Sequence, residues 1–111
     1  MDTATVAGLV ATTPRYVETI DGKRVLSFRL ACPQKGYDRD TGEWVPKDTN
    51  WYTVLCFDDV ASDCVDRVGK GSRIVVVGNL MKVTDWSADS PSGTSVEIHA
   101  HTLGNLGKNI S

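Results

Sequence analysis

Positive charge is in short supply. Twelve Lys and Arg stand against fourteen Asp and Glu, giving a formal net charge of -2 over 111 residues and a pI near 5.5. No global field therefore draws the chain to a polyanion or an anionic membrane, and any such binding must come from local patterning. Long apolar runs are also missing. Nothing approaches the roughly 20 residues of a membrane span, and Met1 to Ala11 has neither a basic n-region nor a long apolar h-region. A cytoplasmic protein with no membrane partner is expected. Cys32, Cys56 and Cys64 are odd in number and form no Cys-x-x-Cys, so reduced thiols are the simplest reading. With only two histidines, His99 and His101, catalytic and metal-binding constellations have little to draw on.

What is present fits one folded domain. Hydrophobic residues make up 41% and charged residues 23% of the chain, ordinary globular usage, and the length suits one core. Thr5 to Ala11 reads as a short strand broken by Thr12-Thr13-Pro14. Asp21-Gly22 is a hairpin-turn dipeptide, and behind it Leu26, Phe28, Leu30 and Cys32 alternate with Ser27, Arg29 and Ala31. From Trp51 to Phe57 the odd positions Trp51, Thr53, Leu55 and Phe57 alternate with Tyr52, Val54 and Cys56. Both rows carry large apolar groups, so one of them is covered by something other than this domain's own core. Val60, Ala61, Cys64, Val65 and Val68 then recur at helical period, with Asp58 and Asp59 where an N-cap and first-turn carboxylate would stabilise, and Gly69 or Gly71 as the close. Arg73 to Leu80 is nearly continuous β-branched sequence, and Ser95 to Leu103 alternates Val96, Ile98, Ala100 against Glu97, His99, His101. Ser87 to Ser95 reads as a polar hairpin tip. Five short strands with one helix between the third and fourth is the chain order of an all-β OB-fold, a Greek-key barrel whose sheet face binds oligonucleotides.

Chemistry for catalysis is thin. Gly69-Lys70-Gly71-Ser72 superficially resembles a phosphate loop, but it follows a helix, precedes a strand and lacks the upstream glycine. Glu97, His99 and His101 share a row at period two; without a fourth ligand they read as a polar strand face, and no metal, cofactor or enzymatic activity is expected. The cysteines fall on inward or apolar positions, as buried small hydrophobes do.

The scarce aromatics, 7% of the chain, are more informative. Binding a single strand without base-edge readout requires rings on which bases stack, with cations near the phosphates. Tyr37, Trp44, Trp51, Phe57 and Trp86 supply rings; Lys35 and Arg39 flank Tyr37, Arg29 lies on an outer strand face, and Lys82 precedes Trp86. Trp51 and Phe57 are six residues apart on one row, about 20 Å, which suits successive stacking better than one compact core.

Several blocks resemble those of the bacterial-type single-stranded DNA-binding proteins, in order from about Val6 to Leu103. They are the Gly8 to Pro14 spacing, Gly22 to Ala31, Thr41-Gly42-Glu43-Trp44, Trp51 to Phe57, the Ala61-containing helix, Lys70-Gly71-Ser72 and Val77-Gly78-Asn79-Leu80. The resemblance implies an OB-fold that assembles as a homotetramer or dimer of dimers and protects single-stranded DNA in replication, recombination or repair, without sequence preference. It places Trp51, Phe57 and Trp86 at or near stacking positions, Tyr37 where another stacking ring is usual, and Lys70 at a recurrent basic position. Arg29, Lys35 and Lys82 complete the expected contact set. Tyr52 and Val54 would then fill a subunit interface or the barrel interior. Residues 1–104 form the expected DNA-binding domain and 105–111 a short extension.

Three departures stand out. Met81-Lys82-Val83-Thr84-Asp85 carries one cation where family hairpins often carry several. Asp58-Asp59 replaces a common Gly and cation, and would repel phosphates. The sequence ends at Lys108-Asn109-Ile110-Ser111, without the Gly/Pro/Gln-rich linker and acidic-aromatic tip by which typical members recruit replication and repair enzymes. The acidic balance and the thinned cations favour an alternative function, an accessory module, similar to primosomal proteins, that mainly contacts other replication proteins and binds DNA weakly. A nucleoid-associated cytoplasmic location fits both.

Overall fold

The computed structural model describes residues 2–84 and 94–106. Trp86, the rest of the 85–93 segment and residues 107–111 lie outside the described residues. The alternating segments become strands: β1 (Asp2–Val10), β2 (Arg15–Glu18), β3 (Arg24–Asp38), β4 (Glu43–Phe57), β5 (Arg73–Thr84) and β6 (Thr94–Asn105), with helix α1 (Asp58–Cys64) between β4 and β5. The sheet runs β1-β5-β6-β4-β3, and a β1–β3 pairing closes it into a five-stranded OB barrel; β2 pairs with β3 outside the ring. β4 and β6 run parallel and the other pairs antiparallel.

Closure depends on β1 serving two neighbours. It pairs with β5 from Asp2↔Leu80 to Leu9↔Arg73 and at its end meets β3 through Leu9↔Ala31 and Val10↔Leu30. At the crossing a β-carbon on Gly8 would lie 2.3 Å from the Ala31 carbonyl oxygen and 2.8 Å from Cys32 Sγ. Only glycine lets the two backbones approach this closely.

The barrel interior is the inward row of each strand. Leu26, Phe28, Leu30 and Cys32 of β3 meet Val54 and Cys56 of β4, Ile74 and Val76 of β5, Ile98 and Ala100 of β6, and Val10 of β1, all buried. Tyr52 packs half-buried against this cluster, so its row belongs to the barrel interior and the Trp51 row faces out. In β6 the register skips one residue between the Val77↔Thr102 and Gly78↔Ala100 pairs. His101 is therefore extra, and beyond it the inward parity changes so that Leu103 is buried.

The helix packs against β3, β4 and β6 through Ala61 and Cys64, followed by Val68. Asp58 and Asp59 are carboxylates of its first turn, as expected, but its caps differ from the expectation. Phe57 is the N-cap residue and makes no side-chain cap. Asp58 has a positive φ of 51°, and its carboxylate accepts the backbone N–H of Arg24 at 3.2 Å, tying the helix start to β3. The C-cap is Val65, in helical conformation. Gly69 and Gly71 lie in the following loop, where Gly71 N–H donates to Val10 O and Val10 N–H to Ser72 O, at 2.8 and 2.9 Å.

Two extents also exceed the sequence reading. The Asp21-Gly22 turn joins β3 to a strand, β2, with Gly22 at φ 85° and Thr19 N–H donating to Lys23 O at 2.7 Å. β3 and β4 also continue together to the Asp38↔Glu43 pair as a largely exposed arm.

The cysteines are free and buried. Burial raises all three thiol pKa values; Cys56, next to Cys64, is pushed up to about 12. Thiolate is the reactive form, so all three should resist a thiol reagent at pH 8 in the folded protein and react promptly in denaturant. Alkylation monitored by mass spectrometry checks this; fast native labelling of Cys56 would contradict the closed barrel.

Candidate nucleic-acid interface

The outward row of β4 presents Trp51, Thr53, Leu55 and Phe57, with Trp51 49% and Phe57 41% exposed. Strand register places the neighbours. Thr53 lies between Arg29 of β3 and Glu97 of β6, and Leu55 between Ser27 and His99. The Arg29 guanidinium sits 5.7 Å from the Trp51 ring centroid and donates from Nη1 to Thr53 Oγ1 at 3.0 Å. Its backbone N–H is held by Thr12 Oγ1 at 3.0 Å. Ala11, Thr12, Arg29 and Trp51 line an open cleft of about 570 Å³. An indole with a cation fixed beside it offers a π-face for a base and a charge for its phosphate.

At the other end of the row, the Phe57 ring meets the His99 ring edge-on, centroids 5.2 Å apart at 67°. His99 Nε2 lies 3.2 Å from Glu97 Oε1. His101 is carried away from this pair and lines a small cleft with Asp63 and Arg67. Among the described residues no group of three or more His, Cys, Asp and Glu is placed to hold a metal.

The arm carries a second aromatic pair. Tyr37 and Trp44, 55% and 66% exposed, pack edge-on at 5.5 Å and 67°. Tyr37 follows Arg29 and Lys35 on the odd-numbered row of β3. Trp44 and Trp51 are seven residues apart, so simple alternation would put them on opposite faces. They share a face because β4 takes an extra residue: Cys32 pairs with Asn50, but Gln34 pairs with Lys47.

The remaining residues of the expected contact set are spread out. Lys35 is exposed on the arm, away from the Trp51 cleft. Lys70 is exposed in the loop bound to the end of β1, adjoining Ala11 of that cleft. Lys82 is on β5 opposite Val96, with its side chain outside the described residues, as is the whole of Trp86. Arg29 and Trp51 thus form the compact part of the site, Phe57 lies further along the same row against His99, and Tyr37 with Lys35 forms a second, distal part.

Two findings add to the sequence reading. Asp58 accepts the Arg24 backbone N–H and keeps its negative charge. Asp59, 96% exposed, pairs with the Arg24 guanidinium at 3.2 Å. Thr12, Thr53 and His99 also enter the site. Thr53 is readable as lying between the rings on their own row, whereas only strand register and the loop after β1 bring His99 and Thr12 beside them.

Comparison with known proteins bears on the family and the fold. The family model described as the single-strand binding protein family matches residues 1–106. A single-stranded DNA-binding protein 2 of Tropheryma whipplei is 38% identical over 104 residues, covering 94% of this chain and 68% of that protein. Single-stranded DNA-binding protein 1 of Streptomyces coelicolor is 34% identical over 97 residues, 87% of this chain and 61% of that protein. Among solved structures, the small single-stranded DNA-binding protein of Streptomyces coelicolor superposes with a TM-score of 0.77 at 30% identity, covering 95% of this chain and 92% of its own. The second such protein of Mycobacterium smegmatis shares the fold, with a TM-score of 0.68 at 23% identity over 98% of this chain and 96% of its own. The match over nearly the whole chain, on a closed barrel with outward-facing rings, makes this protein a member of the single-strand binding protein family.

Proposed function

We propose that the protein binds single-stranded DNA without sequence preference and protects it during replication, recombination or repair, in a binding and not a catalytic role. The observation that carries this is the outward row of β4: two exposed rings, Trp51 and Phe57, with Arg29 stacked against the first. Bases stack on the rings while Arg29, Lys70, Lys35 and Lys82 meet the backbone; Tyr37 and Trp44 extend the track along the arm, and Trp86 adds a ring from the β5–β6 connection. Assembly into a homotetramer or dimer of dimers, in the cytoplasm on the nucleoid, completes the reading. The described pairings of β1 with β5 leave residues 2–8 with one open strand edge, which supports self-association.

Titration with oligo-dT at low salt should quench the tryptophan emission; unchanged emission at saturating oligonucleotide would refute stacking on Trp51. Each neutralised phosphate on a single strand contributes about -0.7 to the slope of log K against log salt, so three or four cations per domain give roughly -2 to -3. A much steeper slope would point to a cation set larger than the one named here. A stable monomer by native mass spectrometry would count against the assembly.

A further inference from the structure

Between the two rings of β4 lie Thr53 and Leu55, and β6 sets Glu97 and His99 directly beside them. A strand of DNA passing from Trp51 to Phe57 must therefore pass a carboxylate. The carboxylate is half-buried and lies 3.2 Å from the imidazole, while that imidazole braces the Phe57 ring edge-on. We propose that Glu97 and His99 form a proton-dependent contact for the DNA backbone, in the middle of the stacking track. With Nε2–H directed at Glu97, the neutral imidazole leaves the pair with a net charge of minus one. A proton taken up at Nδ1 makes the pair neutral and adds an N–H donor for a phosphate oxygen.

The surroundings leave this charge change uncompensated. From β5, Asn79 pairs with His99 and Met81 with Glu97, neither of them charged. From β4 come Leu55 and Phe57; Asp58, the next charge along, accepts the Arg24 backbone N–H and stays negative at either pH. On β6 itself His101 lies apart, with Asp63 and Arg67 of the α1 region. From β3, beyond β4, Arg29 is tied to Thr53 and stacked on Trp51. Arg15 of β2 lies one strand further, opposite Ser27. Histidine is the side chain suited to change charge in mild acid, and phosphate binding favours the protonated form.

This contact rests on the single-strand reading above, and the test separates the two. Fluorescence anisotropy of labelled oligo-dT is measured from pH 5.5 to 8.5 at constant ionic strength with the full chain, H99Q, E97Q and, as a control, H101Q, each checked by circular dichroism. Affinity of the unaltered protein should rise about three- to fivefold from pH 8.5 to 5.5, the scale of one exposed charge pair. Its salt slope should steepen by about 0.7. H99Q should remove most of that rise, E97Q should tighten binding at pH 8.5 by a similar factor, and H101Q should change neither. Binding that is tight but independent of pH, a pH profile unchanged in H99Q, or an E97Q variant no tighter at pH 8.5 would overturn the contact alone. Absence of DNA binding at every pH would overturn the single-strand reading and the contact with it.

Discussion

Trp51→Ala is expected to weaken binding of oligo-dT by about 1–3 kcal/mol, the range established for base–aromatic stacking on single-strand binders of this kind. The ring is half exposed and lies outside the buried core cluster, so its loss should leave the melting temperature nearly unchanged. Two interactions go with it: the face on which a base stacks, and the surface against which Arg29 is held. Arg29 keeps its bond to Thr53, so the salt slope should change little while affinity falls. Phe57→Ala should cost a similar amount. The two sites are about 20 Å apart along β4, far enough for their losses to add in the double variant. Isothermal titration with thermal melts of each variant decides this; lost binding that tracks lost stability would mean that the rings are structural.

Gly8→Val should be severely damaging to the barrel. The added β-carbon would meet a backbone carbonyl and the buried Cys32 sulfur at 2.3 and 2.8 Å, and branching worsens the conflict. A backbone oxygen cannot swing aside as a side-chain tip can. Relief requires β1 to leave β3, which opens the ring at Leu9↔Ala31 and Val10↔Leu30. Overpacking alone costs about 1–3 kcal/mol, and loss of the closing ladder adds to it, against a total stability of about 5–15 kcal/mol for an ordinary domain. Urea denaturation should show a variant with a much lower midpoint, or no folded baseline. A near-normal midpoint would contradict the closure described here.

The barrel was legible wherever one strand row faces the core and the other faces water. Leu26 to Cys32 and β6 as far as Ala100 reported their burial correctly, because period two survives intact when only one face is packed, whereas in Trp51 to Phe57 both rows are apolar and packing alone assigns the Tyr52 row to the interior. The arm was not legible. Pro33 and Pro46 lie in it, and both of its faces are solvated, so no alternation marks residues 33–49 as paired strands. β2 escaped for the same reason, since all four of its residues are exposed. The helix was placed correctly by its apolar stripe, but its caps were not. Carboxylates near a helix start can serve a neighbouring strand instead, as Asp58 and Asp59 do with Arg24. The rings of the site and Thr53 between them could be named from the sequence, whereas Thr12 and His99 could not be placed beside them, because register is a property of strand pairs.

The extra residue of β4, between Lys47 and Asn50, gives the hairpin one place that is tolerant of changes in length. Deleting Asp48 or Thr49 would remove the irregularity and leave every other pair, from Asn50 down to the Glu43 tip, in its present partnership. Deleting any residue from Thr53 to Cys56 would instead exchange inside for outside along the rest of the strand, driving Trp51 toward the core and Tyr52 into solvent. A residue can therefore be lost at this joint with the arm's pairing kept, while the barrel half of the same strand is locked to a fixed count.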